Sequence, residues 1–343
     1  MTGTGVAAAT FRQLMDVVPH ACRSTRVAVA LSGGADSTSL LMLLHEYFPS
    51  PENVLAITVD HGLRKESADE ARHVATFAEK HGIPHQTHRV QWGDLTGTLP
   101  RSQLQVQARL RRYNVLGAVC SREDIRAVYV GHHLGDQLET VLFRLGRGSG
   151  WSGLAGMPHV SPFPVAGFDA INVVRPLLGT TKDDLKATCH RFGQEWVEDP
   201  SNDSEDFDRI RIRKQLRETT ALYGPDLEHA LARFQAHAQE AHADLHATEQ
   251  ALVTRYTRQV DTHTIELLDA FVDDPIVFDE LAIRVLSGII RNVGQKDYPP
   301  RVASVTLLWT SLKQKMLRRA TTIGGCLVQK RRRSLLFSPE HAL

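Results

Sequence analysis

Val27-Ala28-Val29-Ala30-Leu31 is followed at once by Ser32-Gly33-Gly34-Ala35-Asp36-Ser37. Five consecutive small or branched apolar residues predict a strand buried on both faces. From Asp36 to Phe48 the pattern changes to that of an amphipathic helix. The six residues at the junction are therefore a strand-to-helix turn. Two glycines let the turn tighten and keep Cβ atoms away from a ligand, and the first amides of the helix have no internal partners. Such a turn holds anions, aided by the positive end of the helix dipole. Ser32 and Ser37 add hydroxyl donors. Asp36 would repel a polyphosphate unless a divalent cation such as Mg²⁺ lay between them. A plainer reading, Asp36 and Ser37 as ordinary helix N-terminal residues, stays open. The G-x-x-x-x-G-K-[ST] and G-x-G-x-x-G patterns are absent.

Outward from this turn, strands and helices alternate. Val54 to Val59 predicts a second buried strand, with a helix from about Ser67 to His81 closed by Gly82. His85 to Val90 is a weaker third strand, and Ser102 to Cys120 a long helix. Ala127 to Val130 is a fourth strand with a helix from about Asp136; Val173-Val174 is a fifth, with a helix from Thr181 to Phe192. This order predicts a doubly wound α/β domain whose mostly parallel sheet is covered on both faces. After about Arg217 the alternation stops. Helical patterns run over 227–260, 279–293 and 301–317, and short strands are expected at 326–329 and 335–338. Two domains follow, 1–217 and a smaller, mainly helical 218–343.

The 343 residues are 42% hydrophobic and 23% charged, which excludes a disordered, collagenous or disulfide-scaffold protein. At roughly 150 residues per domain, two domains are also the number expected from length. No run of eighteen apolar residues occurs, so no membrane is expected. The first ten residues lack a secretory pattern, and Cys22, Cys120, Cys189 and Cys326 are scattered without CxxC spacing, as in a reduced, cytoplasmic protein. The net charge is only +1, but it is unevenly spread. An acidic stretch from Glu198 to Asp208 gives way to Arg209, Arg211, Arg213, Lys214 and Arg217. A second basic stretch runs from Lys313 to Arg333. Either would suit a phosphate backbone; either would also serve as a solvated face.

Further motifs lie at the expected strand ends: Val59-Asp60-His61-Gly62-Leu63-Arg64, and Gly131-His132-His133-Leu134-Gly135-Asp136-Gln137-Leu138-Glu139-Thr140. Gln107-Ala108-Arg109-Leu110-Arg111-Arg112-Tyr113 sits on the long helix. Arg147-Gly148-Ser149-Gly150, Gly153 to Met157, Arg175-Pro176-Leu177-Leu178 and Asp199-Pro200-Ser201-Asn202 follow in order. Ligands of doubly wound sheets bind beyond the carboxyl ends of strands, so residues 32–37, 60–64 and 131–136 should share one crevice. Asp36 and Asp136 would then be two carboxylates facing one polyphosphate and able to hold Mg²⁺. Glu139, three residues on, lies on nearly the same helix face. Arg109 and Arg112, three apart, suit a phosphate clamp or ordinary surface positions. A zinc site from His81, His85 and His88 is the weakest reading, because no fourth ligand accompanies them.

The Ser-Gly-Gly-x-Asp-Ser turn resembles the signature of N-type ATP pyrophosphatases, of the adenine nucleotide alpha hydrolase-like fold. Over residues 25–217 the full series of motifs is similar to the tRNA(Ile)-lysidine synthetase family. The resemblance implies an ATP site of Ser32, Gly33, Gly34, Ala35, Asp36, Ser37, Asp60, His61 and Gly131, with Asp36 and Asp136 on Mg²⁺. It implies catalytic roles for Asp36, Asp136, Arg109, Arg112 and His133. Arg147, Arg209, Arg211, Arg213, Arg331, Arg332 and Arg333 become candidates to hold tRNA. The implied partners are free L-lysine and the isoleucine tRNA with a CAU anticodon; a homodimer is left open.

Three positions depart from the family pattern: Gly135 stands for the first of two acids, Gln105 for a glutamate, and Ile210 for the asparagine of Arg-Asn-Arg. A tRNA cytidine thiolase with the same activation chemistry is the alternative enzyme, though it ordinarily needs paired cysteines. A non-catalytic ATP- or RNA-binding module is the alternative of a different kind.

Overall fold

The structure, a computed structural model, describes residues 3–23, 26–62, 67–92, 100–147, 150–196, 208–296, 298–317 and 320–340. Two compact units divide at Ala238/Gln239. That point falls inside a helix, further along than the change of pattern near residue 217.

The first unit opens with α1 (Ala8–Asp16) and α2 (His20–Arg23), then β1 (Val27–Ala30), α3 (Ala35–Tyr47), β2 (Val54–Asp60), α4 (Ser67–Lys80) and β3 (His85–Arg89). It continues through α5 (Arg101–Arg122), β4 (Ala127–Tyr129), α6 (Leu134–Gly146), the short α7 (Trp151–Leu154), β5 (Val160–Pro162) and β6 (Asn172–Val174). The helices α8 (Lys182–Arg191) and α9 (Asp208–Tyr223) follow, with the start of α10 (Pro225–Tyr256). The six-stranded sheet has the order β3-β2-β1-β4-β6-β5. Every pairing is parallel except β5 with β6. The sequence pattern locates every parallel strand but not β5, which has only three residues, only partly buried or exposed, and owes its conformation to β6.

Strand residues alternate between two cores, as a period-2 backbone requires. Val27, Val29, Val54 and Ala56 face one core with Phe11, Met15, Leu40, Leu44 and Leu185. Ala28, Leu55, Ile57 and Val128 face the other with Tyr113, Leu116 and Val119 of α5. At about 25 cal/mol per Å² of apolar surface, two covered faces are what make a parallel sheet stable. Sequential order reverses at β1, whose neighbours are β2 and β4, so the crevice beyond β1 and β4 is the topological switch point.

The second unit holds the rest of α10, then β7 (Thr257–Asp261), β8 (Thr264–Leu268), α11 (Asp279–Val293), α12 (Val302–Lys313), β9 (Thr321–Ile323), β10 (Cys326–Lys330) and β11 (Ser334–Pro339). Its strands form an antiparallel sheet, β7-β8-β11-β10-β9. Leu281, Val285, Ile289 and Val293 of α11 share a core with Leu267, Val328 and Phe337. Helices remain prominent here, but the expectation that 227–260 is helical throughout is corrected: the chain leaves α10 at Tyr256. Thr257–Asp261, mostly exposed, pairs with β8, and hydrogen bonds to a buried strand outweigh its indifferent pattern. Among the described residues no helix is long and apolar enough to cross a membrane.

Candidate active site

The turn after β1 is drawn tight by its own serines. Ser37 Oγ accepts the Ser32 N–H at 3.1 Å, lies 3.0 Å from Ser32 Oγ and donates to the Gly34 carbonyl at 3.2 Å. Both hydroxyls thus serve the loop before any ligand. Gly33 has φ +86°, a conformation costly for other residues, and Gly34 ends the turn as the N-cap of α3 without a side-chain cap. The unpaired amides at the start of α3 are left for an anion. Ala35 and Ser37 are buried beneath them.

Gly131, past β4, lets the second strand end close on this loop. A Cβ there would lie 2.7 Å from the Asp36 carbonyl oxygen and 2.8 Å from its carbon. No side chain fits, so β4 delivers the histidine segment directly against the helix N-terminus. His133 caps α6 in a reciprocal arrangement. Its N–H donates to Asp136 Oδ2 at 3.0 Å, and its Nδ1 accepts the Gly135 N–H at 2.9 Å. His133 Nε2 then faces Asp36 Oδ2 at 3.9 Å and Asp136 Oδ2 at 3.7 Å. The two carboxylates expected to share one crevice therefore flank one imidazole.

Asp36 Oδ1 is buried and has no hydrogen-bond partner. A carboxylate oxygen withdrawn from water without compensation is costly. This orphaned oxygen, with Asp136 beside it, fits a hard divalent cation, which takes oxygen ligands. No three His, Cys, Asp or Glu among the described residues are gathered to cage a metal alone. A cation here would complete its shell with phosphate oxygens and water.

Lys182, at the start of α8, lies 3.6 Å from Asp36 Oδ2. Arg213 of α9 is turned inward, with Nη2 donating to Glu139 Oε2 at 3.0 Å and Nε to Glu139 Oε1. Nη2 is also 3.8 Å from Asp136 Oδ1. The hydrogen bonds to Glu139 raise the Arg213 pKa further, above an already high value. This departs from the expectation that Arg213 holds RNA: its guanidinium is taken up by the site's own carboxylates. The 3.6-residue period gives notice of Glu139 through Asp136. Nothing in the sequence marks Lys182, whose place depends on how α8 packs on α3.

A second, cationic side of the crevice comes from α5 and β6. Arg109 and Arg112 lie against Tyr113, 5.0 and 5.4 Å from its ring centroid. Burial lowers the pKa of Arg112. Arg175 is buried, with Nη1 donating to the Pro158 carbonyl at 3.1 Å and Ser161 Oγ at 3.0 Å. His132 is pushed down to about 4, first by burial, with Asp136 opposing and Arg175, Arg112 and Arg109 adding to the fall. It is a neutral imidazole near neutral pH, surrounded by guanidinium groups.

At the end of β2, buried Asp60 accepts the Gly62 N–H at 2.7 Å, and the His61 carbonyl accepts from Trp92 Nε1 at 2.6 Å. The His61 pKa is lowered by burial and then by Arg112. Asp60 thus shapes its turn, while His61 Nδ1 is buried without a partner.

The remaining expectations separate from this centre. His81 bonds Gln194, His85 bonds Thr58 and His88 bonds Gln86, so these histidines form no common metal site. Arg147 stacks over Phe143 at 4.2 Å. Arg211 is exposed on α9, and the side chain of Arg209 lies outside those described, as does the whole of Asp199–Asn202. In the second unit Lys313 and Lys330 are paired with Asp279 and Asp269, whereas Arg331, Arg332 and Arg333 are exposed in the β10–β11 turn. All four cysteines are buried thiols, with Cys120, Cys189 and Cys326 pushed up to about 12 by burial.

Residues 7–220 match the PP-loop domain family. A tRNA(Ile)-lysidine synthase of Ruegeria pomeroyi is 38% identical over 322 residues, covering 92% of this chain and 71% of the relative. One from Hyphomonas neptunium is 33% identical, covering 99% and 88%. Among solved structures, the U34-tRNA thiolase NcsA from Methanococcus maripaludis with its [4Fe-4S] cluster superposes with a TM-score of 0.54 at 19% identity. The match covers 68% of this chain and 79% of the thiolase, and it establishes a shared fold.

Proposed function

Because the chain belongs to the PP-loop tRNA(Ile)-lysidine synthase family, we propose that it joins free L-lysine to C2 of the wobble cytidine in the CAU anticodon of tRNA(Ile), using ATP. The product, lysidine, changes codon reading from AUG to AUA and amino-acid identity from methionine to isoleucine. The supporting observation is the orphaned Asp36 oxygen at the anion-binding turn, flanked by Asp136.

The chemistry runs in two displacements. The cytidine O2 attacks the α-phosphorus of ATP, and pyrophosphate leaves. The ε-amine of lysine then attacks C2, and AMP leaves with the oxygen. Activation is needed because that oxygen departs poorly by itself. The amides of Gly33 to Ser37 receive the phosphates, and Arg109 and Arg112 offset the charge that grows on pyrophosphate. Asp36 and Asp136 would hold Mg²⁺, which supplies charge neutralisation at the polyphosphate. His133 and Glu139 keep the two carboxylate-bearing helix ends in register, Glu139 by tying Arg213 into the cluster. The lysine amine must lose a proton before it attacks, and a carboxylate or histidine beside the acceptor is the group to take it.

An anticodon loop offers unstacked bases, which suits entry of a cytidine into a crevice. Arg147 and Arg211 in the first unit, and Arg331 to Arg333 in the second, are proposed to contact tRNA phosphates. A cytoplasmic setting accords with four free thiols. These buried, separated thiols with raised pKa values also disfavour the thiolase reading, which needs reactive sulfur ligands.

The experiment is pyrophosphate release from ATP, with omission of lysine or of tRNA(Ile) and a thiol donor as control. Lysine incorporation dependent on ATP and this tRNA is expected. Turnover that follows the thiol donor would replace this reading with thiolation, and ATP binding without turnover would replace it with a binding module.

A further inference from the structure

The placement of the His133 ring depends on a residue two positions away. Its Nδ1 accepts the Gly135 N–H at 2.9 Å. A ring nitrogen that accepts a hydrogen bond presents its lone pair, so the neutral imidazole carries its proton on Nε2. Nε2 lies 3.9 Å from Asp36 Oδ2 and 3.7 Å from Asp136 Oδ2. The ring also lies so close over residue 135 that a Cβ there would be 2.6 Å from Cε1 and 3.1 Å from Nδ1. The His133 side chain is 10% exposed, and a Cβ at 135 would force its ring to shift. In this arrangement a Cβ at 135 would press on the His133 ring, and the amide of residue 135 makes the hydrogen bond.

We propose that Gly135 is a positioning residue that holds His133 in the Nε2–H tautomer, with Nε2 turned toward Asp36 and Asp136. The site consequently offers a divalent cation oxygen ligands and withholds an imidazole nitrogen. Carboxylates and water suit magnesium and manganese, whereas an available imidazole lone pair beside two carboxylates suits zinc. Which nitrogen of a histidine is free to ligate is set by the bond made at the other. Holding Nδ1 on the Gly135 amide therefore selects the class of metal without supplying a ligand. The inference rests on the proposed function only in taking Asp36 and Asp136 as the cation-facing carboxylates.

The test uses the full chain without nucleotide. Nitrogen-15 resonances of the wild-type His133 ring, assigned with a His133→Asn variant, are expected to report the Nε2–H tautomer. An Nδ1–H tautomer overturns the proposal, and this measurement needs no glycine variant to fold. Zn²⁺ and Mn²⁺ binding are then measured by calorimetry on the wild type, Gly135→Ala and the Gly135→Ala/His133→Asn double variant. Displacing the ring in Gly135→Ala should raise Zn²⁺ affinity about tenfold or more, the scale of other outer-sphere changes at metal sites. No gain is expected for Mn²⁺, and the double variant should lose the gain for Zn²⁺. Equal Zn²⁺ affinity in wild type and a folded Gly135→Ala, or a gain that survives in the double variant, overturns the proposal. Lysine- and tRNA-dependent pyrophosphate release is assayed on the same wild-type preparation. Its absence would remove the proposed function while leaving the tautomer and metal results to stand.

Discussion

The Arg213 guanidinium forks onto the Glu139 carboxylate, with Nη2 3.0 Å from Oε2 and the side chains 29% and 7% exposed. This pair fastens α9 to α6, the helix that carries Asp136. Removing one partner from a buried, hydrogen-bonded pair leaves an uncompensated charge. Because Arg213 keeps some exposure to water, Arg213→Ala should cost about 2–3 kcal/mol, below the range for fully buried pairs. Lysine lacks the planar fork, so Arg213→Lys should recover less than half of that stability. Urea unfolding of the three proteins decides it; equal midpoints would show that the pair holds nothing together.

Asp36→Asn should leave the fold intact and remove the charge at the polyphosphate. Loss of a cation's several kcal/mol of transition-state stabilisation corresponds to at least about a hundredfold slower pyrophosphate release. Thermal unfolding should be nearly unchanged, since Asp36 Oδ2 stands 3.6 Å from Lys182 and 3.9 Å from His133, too far for strong pairing. Wild-type rates in this variant would take the cation away from Asp36.

His132 makes stability depend on acidity. In the unfolded chain a histidine takes up its proton near pH 6.5, whereas in the fold burial and three arginines hold it to about 4. Between those values the unfolded state binds the extra proton, so stability declines as pH falls from about 6.5 toward 4 and is fully present above 6.5. The decline attributable to this residue is on the order of 2–3 kcal/mol at the lower end. His61, His81, His85 and His88, also lowered, act in the same direction. Chemical unfolding of wild type and His132→Gln at several pH values isolates the contribution. Parallel profiles for the two proteins would contradict it.

Neutralising Arg331, Arg332 and Arg333 together should weaken tRNA binding and make it less sensitive to salt. For every phosphate left without its arginine, the slope of log affinity against log salt should become shallower by roughly 0.7–0.9. Filter binding across a salt series provides the slope. If it stays the same, these arginines are a solvated face.

Much of the parallel sheet is legible in the sequence because buried strands such as Val27–Ala30 and Val54–Asp60 are mostly apolar. β5 and β7 are not, since their residues are only half-buried or exposed and their conformation comes from a paired neighbour. At the site, Asp36, His133 and Asp136 can be read from strand ends and helix starts. The Arg213–Glu139 pair is hidden by its setting: a run of arginines after an acidic stretch looks like an RNA-facing surface, and only the docking of α9 turns one member inward.

Local order along the chain is enough to dictate the anion-binding turn, because a buried strand, two glycines and a helix start constrain the backbone within a few residues. It also dictates which strand ends must share the crevice, since parallel connections leave their loops on one side. Long-range packing alone settles which charges face one another: Lys182 against Asp36, Arg213 against Glu139, His133 between two carboxylates. Those pairings depend on distances between helices far apart in sequence, and electrostatic energy changes over ångströms that residue order does not record.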